Sequence, residues 1–188
     1  MKFRLFLAVG LSLIIGAHGA QAAGSIFDDL PKEKTCVGYK TTKKMFFVAT
    51  VGVVGTNCSL TMEKTAPGKI QVTIPVEKFD SGVTSRDEHV AQILGGEDLE
   101  PILFETPVPG EANFSADSFV AQGALTILGR RYPMEVAFMK ESDETFTFEI
   151  TTKLSLLEVV VPKVGFGLIA APLDDIVLYG RVFSSQVK

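Results

Sequence analysis

Apolar and polar residues alternate along most of the chain. Ile70, Val72, Ile74 and Val76 fall on one side of such a run, and Gln71, Thr73 and Glu77 on the other. Phe146, Phe148, Ile150, Thr152, Leu154 and Leu156 share a side opposite Thr147, Glu149, Thr151, Lys153 and Ser155. Met134, Val136 and Phe138 repeat the pattern, as do Ile176, Leu178 and Val182. Successive side chains of a strand point to opposite faces, so a period of two with one apolar side predicts half-buried β-strands. Turn residues separate the runs: Ala66-Pro67-Gly68, Pro109-Gly110, Gly129 before Arg130, and Ser142-Asp143. The count is eight strands, near residues 36–42, 45–53, 56–64, 69–79, 102–108, 118–128, 132–141 and 145–157, with a ninth at 175–184. Short connections make neighbouring strands antiparallel. A sheet of this size exposes its edges unless it closes, and closure at eight or nine strands leaves room for a small ligand. The fold class is therefore mainly β, an antiparallel barrel.

One stretch breaks the alternation. SGVTSRDEHVAQILGG, residues 81–96, predicts a helix over residues 83–94. Thr84 or Ser85 is the expected N-cap, and Ser85-x-x-Glu88 reads as a capping box. Asp87 and Glu88 suit the positive end of the helix dipole. Val90, Ile93 and Leu94 form one apolar stripe, and Gly95-Gly96 ends the helix. Ser85, Asp87 and His89 also invite a catalytic reading. Residues two apart on a helix face different ways, so Asp87 is not placed to orient His89, and Ser85 is already used as a cap. A metal site would need His89 plus carboxylates from elsewhere, and nothing in the sequence fixes such a set. The expectation is a capped helix with a polar outer face, no catalytic residue and no metal.

The chain ends bound where the protein works. Lys2 and Arg4 open a short positive start, an apolar run of 11 residues follows, and Ala20-Gln21-Ala22 is an A-x-A cleavage site. This predicts a secretory signal peptide over residues 1–22, a loose lead-in over 23–34, and one domain over 35–188 in the periplasm. The apolar run is short for a membrane span of about 20 residues. The full chain carries a formal charge of −4, and removing Lys2 and Arg4 makes it more acidic. Such a chain without a basic run is a poor nucleic-acid binder, and stable membrane insertion is not expected. His89 is then the only histidine, because His18 leaves with the signal. In an exported protein Cys36 and Cys58 most simply form one disulfide, whose loop closure adds roughly 3 kcal/mol.

The residues around the helix also resemble a known family. FDSGVTSRDEHVAQIL, followed by Pro101-Ile102-Leu103-Phe104-Glu105-Thr106, is similar to the strand, helix start and P-x-I-x-F-x-S run of the YceI-like family of exported lipid-binding proteins. Gly123-Ala124-Leu125-Thr126-Ile127-Leu128-Gly129, with Tyr132-Pro133, resembles that family's G-x-L-T-I-x-G hairpin. Phe166-Gly167-Leu168, followed by Asp175-Ile176-Val177-Leu178, resembles its F-G-I segment and last strand. Gly95-Gly96-Glu97-Asp98 and Lys163-Val164-Gly165 depart from the pattern. The resemblance implies an eight-stranded lipocalin-like barrel with one short helix packed beside it. It also implies a long apolar ligand such as a polyisoprenoid, with Ser85, Arg86, Asp87, Glu88 and His89 anchoring the helix rather than doing chemistry.

The chain has 14 Phe and no Trp. The candidate lining of an apolar cavity is Ile74, Phe104, Leu125, Ile127, Val136, Phe138, Phe146, Phe148, Ile150, Phe166, Ile176 and Leu178, with Phe119 beside them. Burying roughly ten methylene-sized units gives about 8 kcal/mol, which before ordering costs is around micromolar affinity. The expected function is an exported binding protein that encloses a polyisoprenoid, isoprenoid quinone or fatty-chain lipid for carriage or sequestration. No cofactor is expected, the protein is not expected to be an enzyme, and a homodimer is compatible with this reading. The competing reading is a filled barrel that acts as a periplasmic interaction or stress protein.

Overall fold

The computed structural model describes residues 25–45, 49–161 and 170–187. The signal segment 1–22, Lys163-Val164-Gly165 and the cavity candidate Phe166 lie outside the described residues.

Among the described residues nine strands form one antiparallel sheet: β1 (Cys36–Met45), β2 (Ala49–Asn57), β3 (Thr61–Ala66), β4 (Lys69–Ile74), β5 (Ile102–Pro107), β6 (Ser118–Ile127), β7 (Arg130–Lys140), β8 (Thr145–Lys153) and β9 (Ala170–Phe183). Their order is β2-β1-β9-β8-β7-β6-β5-β4-β3. The sequence pattern anticipated each strand, though β2 and β3, read as residues 45–53 and 56–64, both lie a few residues later, and the described sheet has nine strands rather than the eight of a minimal barrel. The two edges, β2 and β3, are consecutive in the chain, so the sheet must curl until they approach one another. They do not pair. Instead Thr56 and Asp80 exchange two backbone hydrogen bonds, 2.9 and 2.8 Å. The Asn57 amide donates to the Pro75 carbonyl at 2.7 Å. The predicted Cys36–Cys58 disulfide closes the same corner.

Two strands stop earlier than their alternation suggested. β4 ends at Ile74 because Pro75 has no N–H for the ladder. Val76 then opens a 3-10 turn, Val76–Lys78, and is fully buried there. β8 ends at Lys153, and a turn follows in which the Asp174 carboxylate accepts from the Ser155 N–H and hydroxyl. That turn exposes Leu156 at 66% and buries Leu157 in its place.

Helix α1 (Thr84–Gly95) lies where the sequence put it. Its N-cap is Val83, which has no side chain to offer, and the Ser85–Glu88 capping box does not form. The acid of the first turn works differently from that expectation: Asp87 accepts from both the N–H and the hydroxyl of Ser81, in the loop before the helix. Gly96 ends the helix at φ 69°. Val90, Ile93 and Leu94 pack on the core. A second helix, α2 (Glu111–Ser115), was not anticipated, because five residues carry no legible period.

The segment read as a loose lead-in is tied down from residue 25. It forms a 3-10 turn, Ile26–Asp29, and buries Leu30 against Cys36 and Tyr179. Arg181, 2% exposed, holds it there. Its guanidinium donates to the Leu30 carbonyl at 2.8 Å and the Pro31 carbonyl at 3.1 Å. It also clamps the Glu141 carboxylate at 2.7 and 2.8 Å.

Candidate functional site

Alternation fixes which side chains face inward. On β7 Met134, Val136 and Phe138 turn into the curl while Arg131, Pro133, Glu135, Ala137 and Met139 stay exposed. The inward sides together line a cavity of about 180 Å3, room for about six water-sized groups at roughly 30 Å3 each. Ile74 on β4, Phe104 on β5, and Leu125 and Ile127 on β6 line it. Val136 and Phe138 on β7, Phe146, Phe148 and Ile150 on β8, and Ile176 and Leu178 on β9 complete the predicted set within the described residues. No Asp, Glu, Lys, Arg or His is among the described lining residues. Two of the polar lining groups are engaged by backbone: the Thr106 hydroxyl donates to the Gln122 carbonyl, and the Thr35 hydroxyl accepts from the Phe183 N–H.

The wall stays open because large rings lie along it. At Gly55, Gly123 and Gly180 the space a Cβ would need is filled within 3 Å by the rings of Tyr39, Phe104 and Phe148 respectively. Each ring covers a bare stretch of neighbouring strand instead of projecting into the centre. Tyr39 lines the cavity and these glycines lie behind the lining rings; sequence reasoning passed over both. Isolated glycines inside strand patterns mark close approach and were the available signal.

The two ends of the cavity differ. At one, α1 and the turn after β4 close it with Leu94 and Phe79. At the other sits an aromatic cluster: Phe114 of α2 meets Phe119 and Phe146 edge-on, at 6.1 and 5.9 Å, and Phe119 stacks on Phe138 at 4.9 Å. Outside that cluster is a polar hollow lined by Glu111, Ser115, Lys140 and Asp143, and it shares Pro109, Phe114 and Ser184 with the cavity. Phe114 was missed from sequence because it belongs to the unanticipated helix.

The SRDEH segment does not converge on this interior. Ser85 and Glu88 are exposed, and Arg86 and His89 are half-buried on α1. Asp87 is engaged with Ser81. Among the described residues no group of three or more His, Cys, Asp or Glu is placed to hold a metal ion. No helix among them is long and apolar enough to cross a membrane.

A curled antiparallel sheet with an apolar interior and a helix across one end defines a lipocalin-like barrel. A model of the YceI-like domain matches residues 30–170, and the chain belongs to the YceI-like family. Among solved structures it is similar to a polyisoprenoid-binding domain from Saccharophagus degradans implicated in plant cell wall breakdown. Identity there is 10% and the TM-score 0.58, covering 79% of this chain and 95% of that one. It is also similar to Burkholderia cenocepacia BcnA, at 21% identity and TM-score 0.55, covering 78% of this chain and 94% of that one. No curated protein matches it in sequence. At these identities the likeness carries the fold and not a ligand.

Proposed function

We propose that the protein is an exported, periplasmic binding protein that encloses the apolar chain of a polyisoprenoid, isoprenoid quinone or fatty-chain lipid, for carriage or sequestration. The cavity, whose lining carries no charged residue among the described residues, is the observation that supports this reading most. A charge brought into such a place goes unpaired, whereas a methylene gains by leaving water. The volume accepts about six methylene-sized groups at roughly 30 Å3 each, or about 5 kcal/mol of gross transfer free energy before ordering costs. One isoprene unit or a short stretch of fatty chain fits this; a longer chain runs on past the Phe114 end. The disulfide supports export, since such bonds persist in oxidising compartments. The 10%-identical domain described as polyisoprenoid-binding has a similar fold, which makes that ligand class the first to try.

Enclosure needs no bond making, and turnover is no part of this reading. The test is native mass spectrometry of protein purified from a periplasmic fraction, followed by solvent extraction. A released apolar molecule, one per chain, is expected. A bare chain that also fails to take up a fatty alcohol or a short polyprenol in vitro refutes enclosure.

A further inference from the structure

A chain that fills the cavity must still place its polar end somewhere. The 180 Å3 interior holds about six methylene-sized groups at roughly 30 Å3 each, so a longer chain continues outward. Leu94 and Phe79 close the α1 end. At the other end the cavity borders the polar hollow, a second space of about 810 Å3. Pro109, Phe114 and Ser184 line both. Ser184 is a polar residue at that junction and is 5% exposed. Its backbone is bonded, the N–H to the Glu144 carbonyl and the carbonyl to the Val187 N–H. Its hydroxyl has no hydrogen-bond partner among the described residues. Among those residues the hydroxyls sealed off without a partner are those of Tyr39 and Tyr179. The Ser184 hydroxyl stays accessible, on a residue that borders both spaces.

The charges around the hollow decide which polar end it suits. Two carboxylates, Glu111 and Asp143, and one ammonium, Lys140, line it. The ammonium is already paired: Lys140 Nζ lies 3.1 Å from Asp143 Oδ1, with the lysine side chain 23% exposed and the aspartate 98% exposed. An entering anion meets a cation that is taken and a second carboxylate that repels it. An uncharged oxygen meets no such opposition. Lys140 and Ser184 can donate to it, and the two carboxylates can accept from a hydroxyl. The geometry points to a rule of selection: the hollow seats the polar end of the enclosed chain when that end is an uncharged hydroxyl or carbonyl, and disfavours a carboxylate or phosphate. This rests on the enclosure reading above and narrows it to neutral amphiphiles.

The test uses the full protein stripped of lipid and dialysed to equilibrium, at low ionic strength and neutral pH, against decan-1-ol and decanoate together. The two have the same chain length, and the acid is ionised there. The bound molecules are extracted, esterified and quantified by gas chromatography. The readout is the bound decanoate-to-decanol ratio of each variant relative to wild type, so that the solubilities of the two molecules cancel. Glu111→Gln combined with Asp143→Asn is expected to raise that ratio by about fivefold or more, the value of removing one like charge about 4 Å away in water. Glu97→Gln combined with Asp98→Asn removes as much charge just beyond the C-terminal end of α1, and is expected to leave the ratio unchanged. An unchanged ratio in the hollow variant overturns the proposal and leaves enclosure standing. An equal rise in both variants overturns it as well, because the effect then belongs to net charge and not to the hollow. Binding of neither molecule by any of the three proteins overturns enclosure itself, and this inference with it.

Discussion

Arg181 offers a quantitative test of how the barrel end is held. Its side chain is 3% exposed while that of its partner Glu141 is 40% exposed, so the two do not lose equally when the pair is broken. In Arg181→Met the Glu141 carboxylate turns to water. The Leu30 and Pro31 carbonyls lose a charged donor, worth about 1.5 kcal/mol each in net terms. Methionine fills much of the guanidinium stem's volume, and the cost of burying a cation disappears. The expected loss is about 3 kcal/mol, or roughly 6–12 °C in melting temperature for a domain of this size. Glu141→Gln keeps the shape and one acceptor and leaves the carbonyl bonds intact, so it should cost about half as much. Both variants should also differ from wild type in their pH dependence. The Arg181 hydrogen bonds hold the Glu141 carboxyl below its usual range. A carboxyl depressed on folding adds stability above its unfolded value, and that stability is lost as pH falls through the folded value. Wild type should therefore lose this share on acidification below about pH 4.5, and both variants should lack it. Melting curves from pH 3 to 7, with hydrogen exchange at residues 26–35, check the reasoning. A melting shift under about 2 °C in Arg181→Met, with unchanged exchange around Leu30, would refute it. Thr35, Ser184 and Val187 line the cavity beside this clamp, so loosening it should also speed ligand release.

Reducing the Cys36–Cys58 disulfide, or replacing both cysteines by alanine, should cost about 3 kcal/mol by freeing the unfolded loop. Denaturant melts with and without reductant measure it, and coincident midpoints would count against a disulfide in solution. Gly180→Ala puts a Cβ within 3 Å of the Phe148 ring, which must swing into the cavity. A loss of about 1–3 kcal/mol and a lower lipid load per chain are expected by calorimetry and extraction; unchanged loading would mean that the ring does not border the ligand. Tyr39 and Tyr179 are both pushed to about 12, chiefly by burial. A phenol whose folded value is raised contributes stability below its unfolded value, near 10, and loses it as pH rises through the folded value. Phenolate absorbance should show two late steps that merge with unfolding, and Tyr39→Phe should remove one.

The strands were legible because period-two alternation is a local consequence of the pleat. Eleven of the twelve proposed lining residues reach the cavity by that rule alone; Phe166 lies outside the described residues. What remained hidden depends on contacts distant in sequence. Nothing around Pro75 says that Val76 leaves the ladder for a buried turn, though proline in a strand pattern is a warning. Nothing in AGSIFDDLPKEK says that an arginine about 150 residues later will seize its carbonyls. Ser85-x-x-Glu88 fits the capping-box spacing, yet the helix starts at Thr84, two residues earlier than that box requires. Asp87 is then free to reach back to Ser81. A helix-start pattern specifies that a helix begins nearby, and the preceding loop decides by what bonds.

The same distinction explains why an apolar inward face did not by itself imply a cavity. Alternation specifies what faces in and is silent on how far it reaches. In this barrel reach is governed by pairs of neighbouring strands: Tyr39 over Gly55, Phe104 over Gly123 and Phe148 over Gly180. A phenylalanine opposite a valine would have to stand up into the interior, and a barrel of this width with many such rings would be full. Laid over glycine, the same ring becomes wall. Phenylalanine abundance therefore reports the apolar character of the interior, while the glycine placed beside each ring determines whether the interior is filled or open. The cavity is consequently most sensitive to substitutions at positions that contribute no side chain to it.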